Sequence, residues 1–363
     1  MILHDITLYR VRLPLTTPYK VAYRVYNDFD PILVRLRDTN GNEGWGEGHI
    51  SPGYSHETVE NGWDFCREAA ARLAGMEVEA ARQSMLPLIA GNPVACTSLI
   101  TAIEMLQGTE VLQIAEEFRV PLLDPVHAMT LDAIPDEIEA LLARGFTTLK
   151  VKVGWDVDAD LARLAAVQQA VAGRAQLRLD ANRGFSREDG MRFAAALDPA
   201  GLQLFEQPCA SDDWDANAAV AKVSSVPVMM DESIYGLADI DIAGAIPGVG
   251  FVKLKLKKLA SLDLLRQALA RIRERGMRPV LGDGTSSDLQ CWMEACVART
   301  TIDNAGEMNG FLKPRTRLLA NPLPFENGAI VVPKDYWPVI DEDVLKAHTL
   351  ATERIVAAQV ATP

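Results

Sequence analysis

The sequence predicts an α/β protein in which a (β/α)8-type barrel follows a smaller N-terminal α+β segment. From Asp124 onward, short β-branched or leucine-rich runs alternate with alanine-rich amphipathic segments, as parallel strands alternate with helical crossovers. Eight such units fit between Asp124 and Gly310, the number that closes a barrel. A doubly wound open sheet is the structural alternative, but no Gly-x-Gly-x-x-Gly turn follows a first strand.

The chain outside the barrel divides into a front piece and a tail. Residues 1–123 begin with strand-like runs around an NGN turn at 40–42, and they become helix-rich from about residue 55. Residues 315–363 return to strand-and-turn composition. We therefore expect an α+β domain over 1–123, a barrel over 124–314 and a tail that folds back onto the front domain.

Composition and charge exclude several classes of protein. The 363 residues, 48% of them hydrophobic, can bury a large core, and a net charge of −13 without a basic run argues against nucleic-acid binding. The five cysteines include no Cys-x-x-Cys pair, so neither a disulfide framework nor a thiolate zinc site is indicated. Because a secretory signal pattern and an apolar stretch of membrane-spanning length are both missing, we expect a cytoplasmic protein with no membrane partner.

Most of the strand candidates end in a residue too polar for a core. In chain order the candidates are PVHAMTL, TLKVKV, AQLRLDAN, LQLFEQP, VPVMMDES, GFVKLKLKK, MRPVLGDG and TIDNAGEMNG. The polar ends are Lys152, Asp180, Glu206, Asp231, Lys255, Asp283 and Glu307. The steps between them are 28, 26, 25, 24, 28 and 24 residues, one strand and helix each. We expect a ring of side chains on the C-terminal face of the barrel, where barrel enzymes carry out their chemistry.

Three carboxylates of this ring, Asp180, Glu206 and Asp231, lie on consecutive strands. Held close together, they would repel one another and raise each other's pKa unless a cation binds between them. Their oxygens suit Mg²⁺, with Mn²⁺ as the alternative, whereas the five histidines avoid the strand ends and argue against zinc. The other interpretation is that each carboxylate caps the following helix, but three in register favour a metal site.

The strand TLKVKV carries two lysines on one face, because side chains alternate along a strand. Taken alone, Lys150 and Lys152 favour a solvated edge strand, but a closed barrel has no edge. Placed in the ring, Lys152 is a candidate general base, and Lys150 would lower its proton affinity by like-charge repulsion.

The sixth strand candidate repeats this alternation of lysines. Lys255 would approach the three carboxylates from the side opposite Lys152, so that the two lysines flank one small-molecule substrate. Lys253 either acts in the site or extends its ammonium group to the rim, and the sequence favours neither. Lys257 and Lys258 are expected to begin a solvated loop.

The series KVKVG, LDAN, FEQP, MDES and KLKLKKLASL resembles the enolase superfamily, and within it the muconate lactonizing enzyme (muconate cycloisomerase) subgroup. The resemblance covers Asp124 to about Gly310, and the front segment with the tail resembles that family's capping domain. It implies a modified TIM (β/α)8-type barrel that closes as (β/α)7β. The related mandelate racemase subgroup uses a seventh-strand histidine, which PVLGDGTSS lacks, so the resemblance selects the two-lysine subgroup.

The resemblance also implies a chemistry, the Mg²⁺-dependent abstraction of the proton alpha to a substrate carboxylate through an enediolate, as in enolase-type sites generally. The implied metal ligands are Asp180, Glu206 and Asp231. Lys152 becomes one acid/base residue, and Lys255 becomes either the opposing acid/base residue or a cation that stabilises the enediolate. Lys150 would tune Lys152 or contact the substrate carboxylate. Asn182 would contact the same carboxylate or the metal shell, and Glu232 would bond to a lysine.

The chain departs from the family pattern at some positions, so a substrate cannot be copied from a better-known relative. Ala260-Ser261 stands where a glycine pair is usual, and PKDYWPVIDED where Pro-Gly-Leu-Gly is common. The favoured reaction is racemisation or epimerisation of an amino-acid-derived carboxylate. The enzymatic alternative is a cycloisomerase or a dehydratase acting on a non-nitrogenous acid, and the remote alternative is a metal-binding barrel without turnover.

Four further residues bear on the substrate. Asp283 and Glu307 would bind a cationic nitrogen of the substrate; alternatively, Asp283 pairs with a lysine and Glu307 with a rim arginine such as Arg315. Tyr19 and Tyr54 lie on two loops that are candidate lids over the barrel mouth, although tyrosines at such positions more often pack at a domain contact. A homo-oligomer is neither indicated nor excluded.

Overall fold

A computed structural model describes residues 1–21, 24–53 and 55–357 of the chain. Its strands are β1 (Leu3–Val11), β2 (Leu13–Val21), β3 (Arg24–Phe29), β4 (Ile32–Asp38), β5 (Glu43–Gly48), β6 (Phe118–Pro121), β7 (Asp124–Val126), β8 (Thr148–Lys152), β9 (Gln176–Asp180), β10 (Leu202–Glu206), β11 (Val228–Met230), β12 (Val249–Leu254), β13 (Arg278–Leu281), β14 (Phe325–Glu326), β15 (Ala329–Val332) and β16 (Thr349–Val356). Its α-helices are α1 (Val59–Leu73), α2 (Val78–Met85), α3 (Pro93–Leu106), α4 (Ile134–Ala143), α5 (Val157–Val171), α6 (Arg187–Ala195), α7 (Trp214–Val223), α8 (Leu237–Gly244), α9 (Leu256–Leu259), α10 (Leu262–Glu274), α11 (Asp288–Thr301) and α12 (Glu342–His348). None of the helices in the described ranges is long and apolar enough to cross a membrane.

The front part of the chain forms a capping domain around an antiparallel sheet of order β16-β1-β4-β5. The predicted turn joins β4 to β5, with Gly41 at φ 84°, a left-handed conformation that suits glycine. Strand β5 lies directly against the buried helix α3: a Cβ on Gly46 would come within 2.1 Å of the Ser98 carbonyl oxygen. Because β16 comes from the tail and pairs with β1, the predicted return of the C-terminus to this domain is confirmed.

The second domain is built on seven parallel strands in the order β13-β12-β11-β10-β9-β8-β7, with helices between successive strands. The predicted eighth strand is shorter than the run TIDNAGEMNG, because α11 runs through Thr301 and the parallel bridge to Leu122 is made by Gly306. That short segment still joins the two ends of the sheet. Gly306 N donates to Pro121 O at 2.8 Å, and Glu307 N donates to Leu281 O at 2.9 Å.

The alternation of side chains places the lysines and carboxylates inside the barrel. On β8, Leu149 and Val151 point to the apolar layer beneath the helices, so Lys150 and Lys152 point inward. Deeper in the barrel, a separate apolar cluster forms a floor made of Leu204, Met229, Phe251 and Val280. Glu206, Asp231 and Lys253 each stand two residues after a member of this floor, so the polar layer lies directly above it.

Candidate active site

The C-terminal ends of the barrel strands surround a cavity of about 60 Å³. Six of the seven polar strand ends predicted as a ring line it: Lys152, Asp180, Asp231, Lys255, Asp283 and Glu307. Glu206, the seventh, is fully buried beside them. Tyr19 and Ser51 of the capping domain also line the cavity, so the site lies between the two domains. Tyr54 lies outside the described residues.

The three predicted metal ligands are buried side by side at the ends of β9 and β10 and just after β11. Parallel register sets Glu206 beside Asp180, and all three side chains are at most 1% exposed. In the part of the chain that is described, no three His, Cys, Asp or Glu side chains are arranged to hold a metal ion. Lysine ammonium groups lie between the carboxylates instead. Lys150 Nζ is 3.0 Å from Asp180 and 2.7 Å from Glu206, and Lys253 Nζ contacts Glu206 and lies 2.8 Å from Asp231.

The chemistry of this donor set fits a divalent cation. Burial and the charge of Asp180 raise the pKa of Glu206 to about 8 and outweigh Lys150 and Lys253, which lower it. Its Oε2 atom accepts no hydrogen bond of good geometry, although Lys150 lies close. The ammonium groups already occupy positions between carboxylate oxygens that a cation favours. Hard oxygen ligands of this kind suit Mg²⁺ or Mn²⁺.

Lys253 is a buried member of the site, with 2% of its surface exposed, so its predicted alternative position at the rim is wrong. Burial lowers the pKa of Lys253, but Asp231, Glu206 and Glu307 outweigh burial and raise the pKa well above its ordinary value. Lys150 shows the same balance, because burial opposes its protonation and the surrounding carboxylates raise its pKa. Both side chains are therefore fixed positive charges.

The two predicted acid/base lysines approach the carboxylates from different strands. Lys152 Nζ, at the end of β8, donates to Asp180 at 2.6 Å and to Asn182 Oδ1 at 2.5 Å. Lys255 directly precedes α9, and its Nζ lies 3.1 Å from Asp231 Oδ2. Burial lowers the pKa of Lys255 to about 8; Asp231 opposes this shift, and Lys253 adds to it. Lys255 is thus partly neutral near physiological pH, as a general base must be.

The remaining predicted residues lie around this centre. Asn182 Nδ2 donates to Glu232 Oε1 at 3.1 Å, so Glu232 contacts the asparagine that holds Lys152. Asp283 Oδ2 is 2.6 Å from Lys257 Nζ, the lysine pairing given as the alternative to a substrate contact.

Glu307 does not pair with the rim arginine suggested as its alternative partner. It lies 2.8 Å from Lys150 and 3.1 Å from Lys253, whereas Arg315 donates to the carbonyl of Leu15.

The expectation that Lys257 and Lys258 begin a solvated loop is wrong, because they are 3% and 2% exposed. Strand β12 ends at Leu254, and the short helix α9 then turns both ammonium groups inward. Lys258 Nζ bonds to the carbonyl oxygen of Asp231 at 2.5 Å and to its Oδ1 at 2.9 Å. The signal in the sequence was the excess of strand-end acids, which need buried cations as partners.

Gln207 directly follows the strand-end residue Glu206 and had no predicted role. Its backbone has φ 36°, and its Oε1 accepts hydrogen bonds from the backbone N–H of Asp231 at 3.0 Å and of Ser233 at 3.3 Å. It therefore fixes the chain on both sides of the Asp231 carboxylate. Gln207 belongs to the FEQP motif, but the spacing of the strand ends does not indicate this hydrogen bond.

A capped barrel with two opposed lysines around a buried carboxylate cluster defines a class of enzyme that transfers protons to and from carbon. This chain belongs to the enolase superfamily: the family described as enolase C-terminal domain-like matches residues 133–336. The predicted family, the fold with its capping domain, and the class of enzyme, an isomerase, are thereby confirmed.

Several relatives are epimerases or racemases, and one is the o-succinylbenzoate synthase of Geobacillus kaustophilus, 27% identical over 82% of this chain and 81% of that protein. The chain is 30% identical over 294 residues to the hydrophobic dipeptide epimerase of Citrifermentans bemidjiense, covering 75% of this chain and 78% of that protein. It is 26% identical to the N-succinyl-L-Arg/Lys racemase of Bacillus cereus, covering 71% and 73%. Among solved structures, the dipeptide epimerase from Cytophaga hutchinsonii, complexed with Mg and the dipeptide D-Ala-L-Val, matches with a TM-score of 0.89 at 21% identity, over 98% of this chain and 100% of that one.

Proposed function

We propose that this enzyme racemises or epimerises an amino-acid-derived carboxylate by moving the proton alpha to the carboxylate between Lys152 and Lys255. The observation that carries the proposal is the position of the two lysines, which reach one cavity from different strands and contact different carboxylates of one cluster. The epimerase and racemase relatives support it.

We also propose the domain division 1–123, 124–314 and 315–363.

The chain's own residues account for the proton transfer. A neutral lysine Nζ takes the alpha proton, the bonding electrons of that C–H bond pass into the carboxylate as an enediolate, and the opposite protonated lysine returns a proton to the other face. The fixed ammonium of Lys150 stabilises the negative charge that develops on the substrate. Asn182 holds Lys152 by accepting its hydrogen bond.

A divalent ion, Mg²⁺ or Mn²⁺, would be held by Asp180, Glu206 and Asp231. When bound there, it supplies positive charge beside the substrate carboxylate and so favours loss of the alpha proton. Lys152 and Lys255 contact Asp180 and Asp231 respectively, so each acid/base residue lies next to a ligand of that ion.

The pairing of the outer acids favours a substrate whose nitrogen is acylated. Asp283 and Glu307 already contact buried lysines, so a free substrate ammonium would have to replace Lys257 at Asp283. An N-acylated amino acid, or the peptide nitrogen of a dipeptide, needs no such replacement. The same pairing favours, as the second candidate, a cycloisomerase or dehydratase acting on an acid without nitrogen.

Proton exchange in D₂O tests the proposal. When wild-type enzyme with Mg²⁺ is incubated with N-acyl amino acids in D₂O, the substrate should gain deuterium at its alpha carbon, as followed by NMR. The two enantiomers of the substrate should also interconvert, as followed by polarimetry. Lys152→Ala should abolish interconversion, whereas Lys222→Ala, an exposed lysine on α7, should leave it unchanged. Undiminished interconversion in Lys152→Ala would refute the assignment. Turnover of non-nitrogenous acids alone would favour the second candidate.

A further inference from the structure

One buried charge of the site has no part in the proton transfer: the ammonium of Lys253. It extends from β12 into the layer of carboxylates and is 2% exposed. Its Nζ contacts Glu206 Oε1, lies 2.8 Å from Asp231 Oδ2 and lies 3.1 Å from Glu307 Oε2. Two of its three partners are therefore proposed ligands of the divalent ion, and the third is not.

Lysine ammonium groups already surround the carboxylate layer. Its four acids are Asp180, Glu206, Asp231 and Glu307, and the ammonium groups within 3.1 Å of them are those of Lys150, Lys152, Lys253, Lys255 and Lys258. A divalent ion among the same oxygens would stand beside the ammonium of Lys253. Like charges repel strongly at such short range away from water, so the ion and this ammonium compete for the same carboxylates.

Glu307 is placed to hold the ammonium group of Lys253 when a divalent ion displaces it from Glu206 and Asp231. It lies outside the set of proposed metal ligands, is 6% exposed and already contacts Lys253. Because the stem of a lysine is flexible, its ammonium group can turn away from Glu206 and Asp231 and keep this ion pair. The charge therefore stays paired inside the barrel, which avoids the cost of leaving it buried alone.

We propose that Lys253 sets the metal affinity of this enzyme by competing with the divalent ion for Glu206 and Asp231, with Glu307 retaining the displaced ammonium. The inference rests on the proposed function, because it requires a metal site at Asp180, Glu206 and Asp231. It assigns Lys253 as a positioning residue that acts on the cofactor and not on the substrate. Lys150 makes similar contacts, but its proposed role towards the substrate makes it a poorer test.

Direct metal binding tests the inference without reference to activity. The purified full-length wild type, Lys253→Met, Glu307→Gln and the double variant would be titrated with Mn²⁺, followed by electron paramagnetic resonance of the free ion and by calorimetry. Lys253→Met keeps the apolar stem and removes the charge, so its Mn²⁺ dissociation constant should fall about tenfold or more. Lys257→Met, which removes a buried lysine whose ammonium lies 2.6 Å from Asp283, should change it by less than about threefold.

The double variant shows whether Glu307 acts through Lys253. Glu307→Gln should weaken Mn²⁺ binding in the wild-type background about tenfold and should weaken it much less in the Lys253→Met background. Equal effects in the two backgrounds would overturn the role given to Glu307. If Lys253→Met does not fold, Lys253→Gln and the Mn²⁺-induced rise in melting temperature provide the same comparison.

The outcomes separate this inference from the proposed function. If Mn²⁺ binds to wild type and to Lys253→Met with the same dissociation constant, or more weakly to the variant, the competition is refuted and the metal site stands. If Mn²⁺ binds to neither protein, the proposed metal site itself is refuted.

Discussion

At the scale of single residues, the site is made of buried charges that position one another. Asn182 is the example closest to the chemistry, because its Oδ1 accepts a hydrogen bond from Lys152 and its Nδ2 donates to Glu232. Its backbone has φ 42°, a left-handed conformation that asparagine adopts more readily than most residues. The asparagine therefore fixes the direction of the lysine without taking part in proton transfer.

Replacing Asn182 with Ala should lower kcat about tenfold with little change in KM, because Lys152 loses the bond that orients it. The rate of deuterium exchange should fall more for the substrate configuration whose alpha proton Lys152 removes than for the configuration whose proton Lys255 removes. Exchange rates measured for the two configurations at saturating substrate test this difference. An equal fall in both rates would mean that Asn182 does not act through Lys152.

A second residue-scale prediction concerns backbone strain at the end of α5. Ala172 has φ 50° and ψ 40°, and this conformation costs an alanine about 1 kcal/mol more than a glycine. Ala172→Gly should therefore raise the free energy of unfolding by about 0.5 kcal/mol, after allowance for the greater freedom of glycine in the unfolded chain. Urea unfolding measures the change. Ala165→Gly, on the exposed face within the same helix, should lower it by about 1 kcal/mol, and similar values for the two variants would contradict the strain argument.

At the scale of elements, buried glutamates cap the helices that carry the site. Glu104 on α3 accepts hydrogen bonds from Ser261 Oγ at 2.5 Å and from Leu262 N at 2.8 Å, at the N-terminus of α10. Glu47 on β5 accepts from Ser287 N at 2.7 Å, at the N-terminus of α11. Each glutamate accepts hydrogen bonds from backbone donors that are otherwise free at a helix N-terminus. Both bonds join the capping domain to the barrel.

Glu104 gives the protein a pH-dependent stability. Burial raises its pKa to about 7, opposed by the bonds from Leu262 and Ser261, while the facing charges of Asp263 and Arg82 raise and lower it respectively. In the unfolded chain a glutamate titrates near its ordinary pKa of about 4.3, so between about pH 4.3 and 7 the folded state binds more protons. The contribution of Glu104 to stability is therefore greatest at low pH, falls as the pH rises to about 7 and is constant above it.

The change Glu104→Gln should remove this dependence. Between pH 5 and 8 the free energy of unfolding of the wild type should fall by about 2 kcal/mol relative to that of the variant. Chemical denaturation of both proteins at the two pH values measures the difference. Parallel stability curves would show that Glu104 does not titrate on unfolding.

The sequence predicts the local part of this architecture and not the long-range part. The alternation of side chains along a strand and the length of each strand-and-helix unit are local properties. The positions of the ring residues from Lys152 to Glu307 could therefore be predicted from spacing alone. The path after Leu254 depends on α9, whose inward lysines pair with acids elsewhere in the chain: Lys257 with Asp283 and Lys258 with Asp231. The partners of Glu307 lie more than a hundred residues away at Lys150 and 54 residues away at Lys253. No spacing rule identifies such pairs.

At the scale of the whole molecule, the site exists only where the two domains meet. The capping domain contributes Tyr19 and Ser51 to the cavity, and the barrel contributes the charged layer. The tail closes this arrangement, because β16, which follows the barrel in the chain, completes the capping sheet. The hydrogen bonds of Glu47 and Glu104 to barrel helices are buried, so breaking them leaves unsatisfied polar groups, a cost that couples the unfolding of the two domains.

We therefore expect wild-type protein to unfold in one calorimetric transition, and Glu47→Ala/Glu104→Ala to unfold in two, as the capping domain and the barrel lose their shared buried bonds. The matched control is Glu57→Ala, since Glu57 is also a buried glutamate that caps a helix, accepting from Val94 N and Ala95 N, but it lies wholly within the capping domain. That variant should lower the melting temperature and keep a single transition. A single transition in the double variant, shifted no further than in Glu57→Ala, would show that the domains are coupled through their apolar contact instead of through the two glutamates.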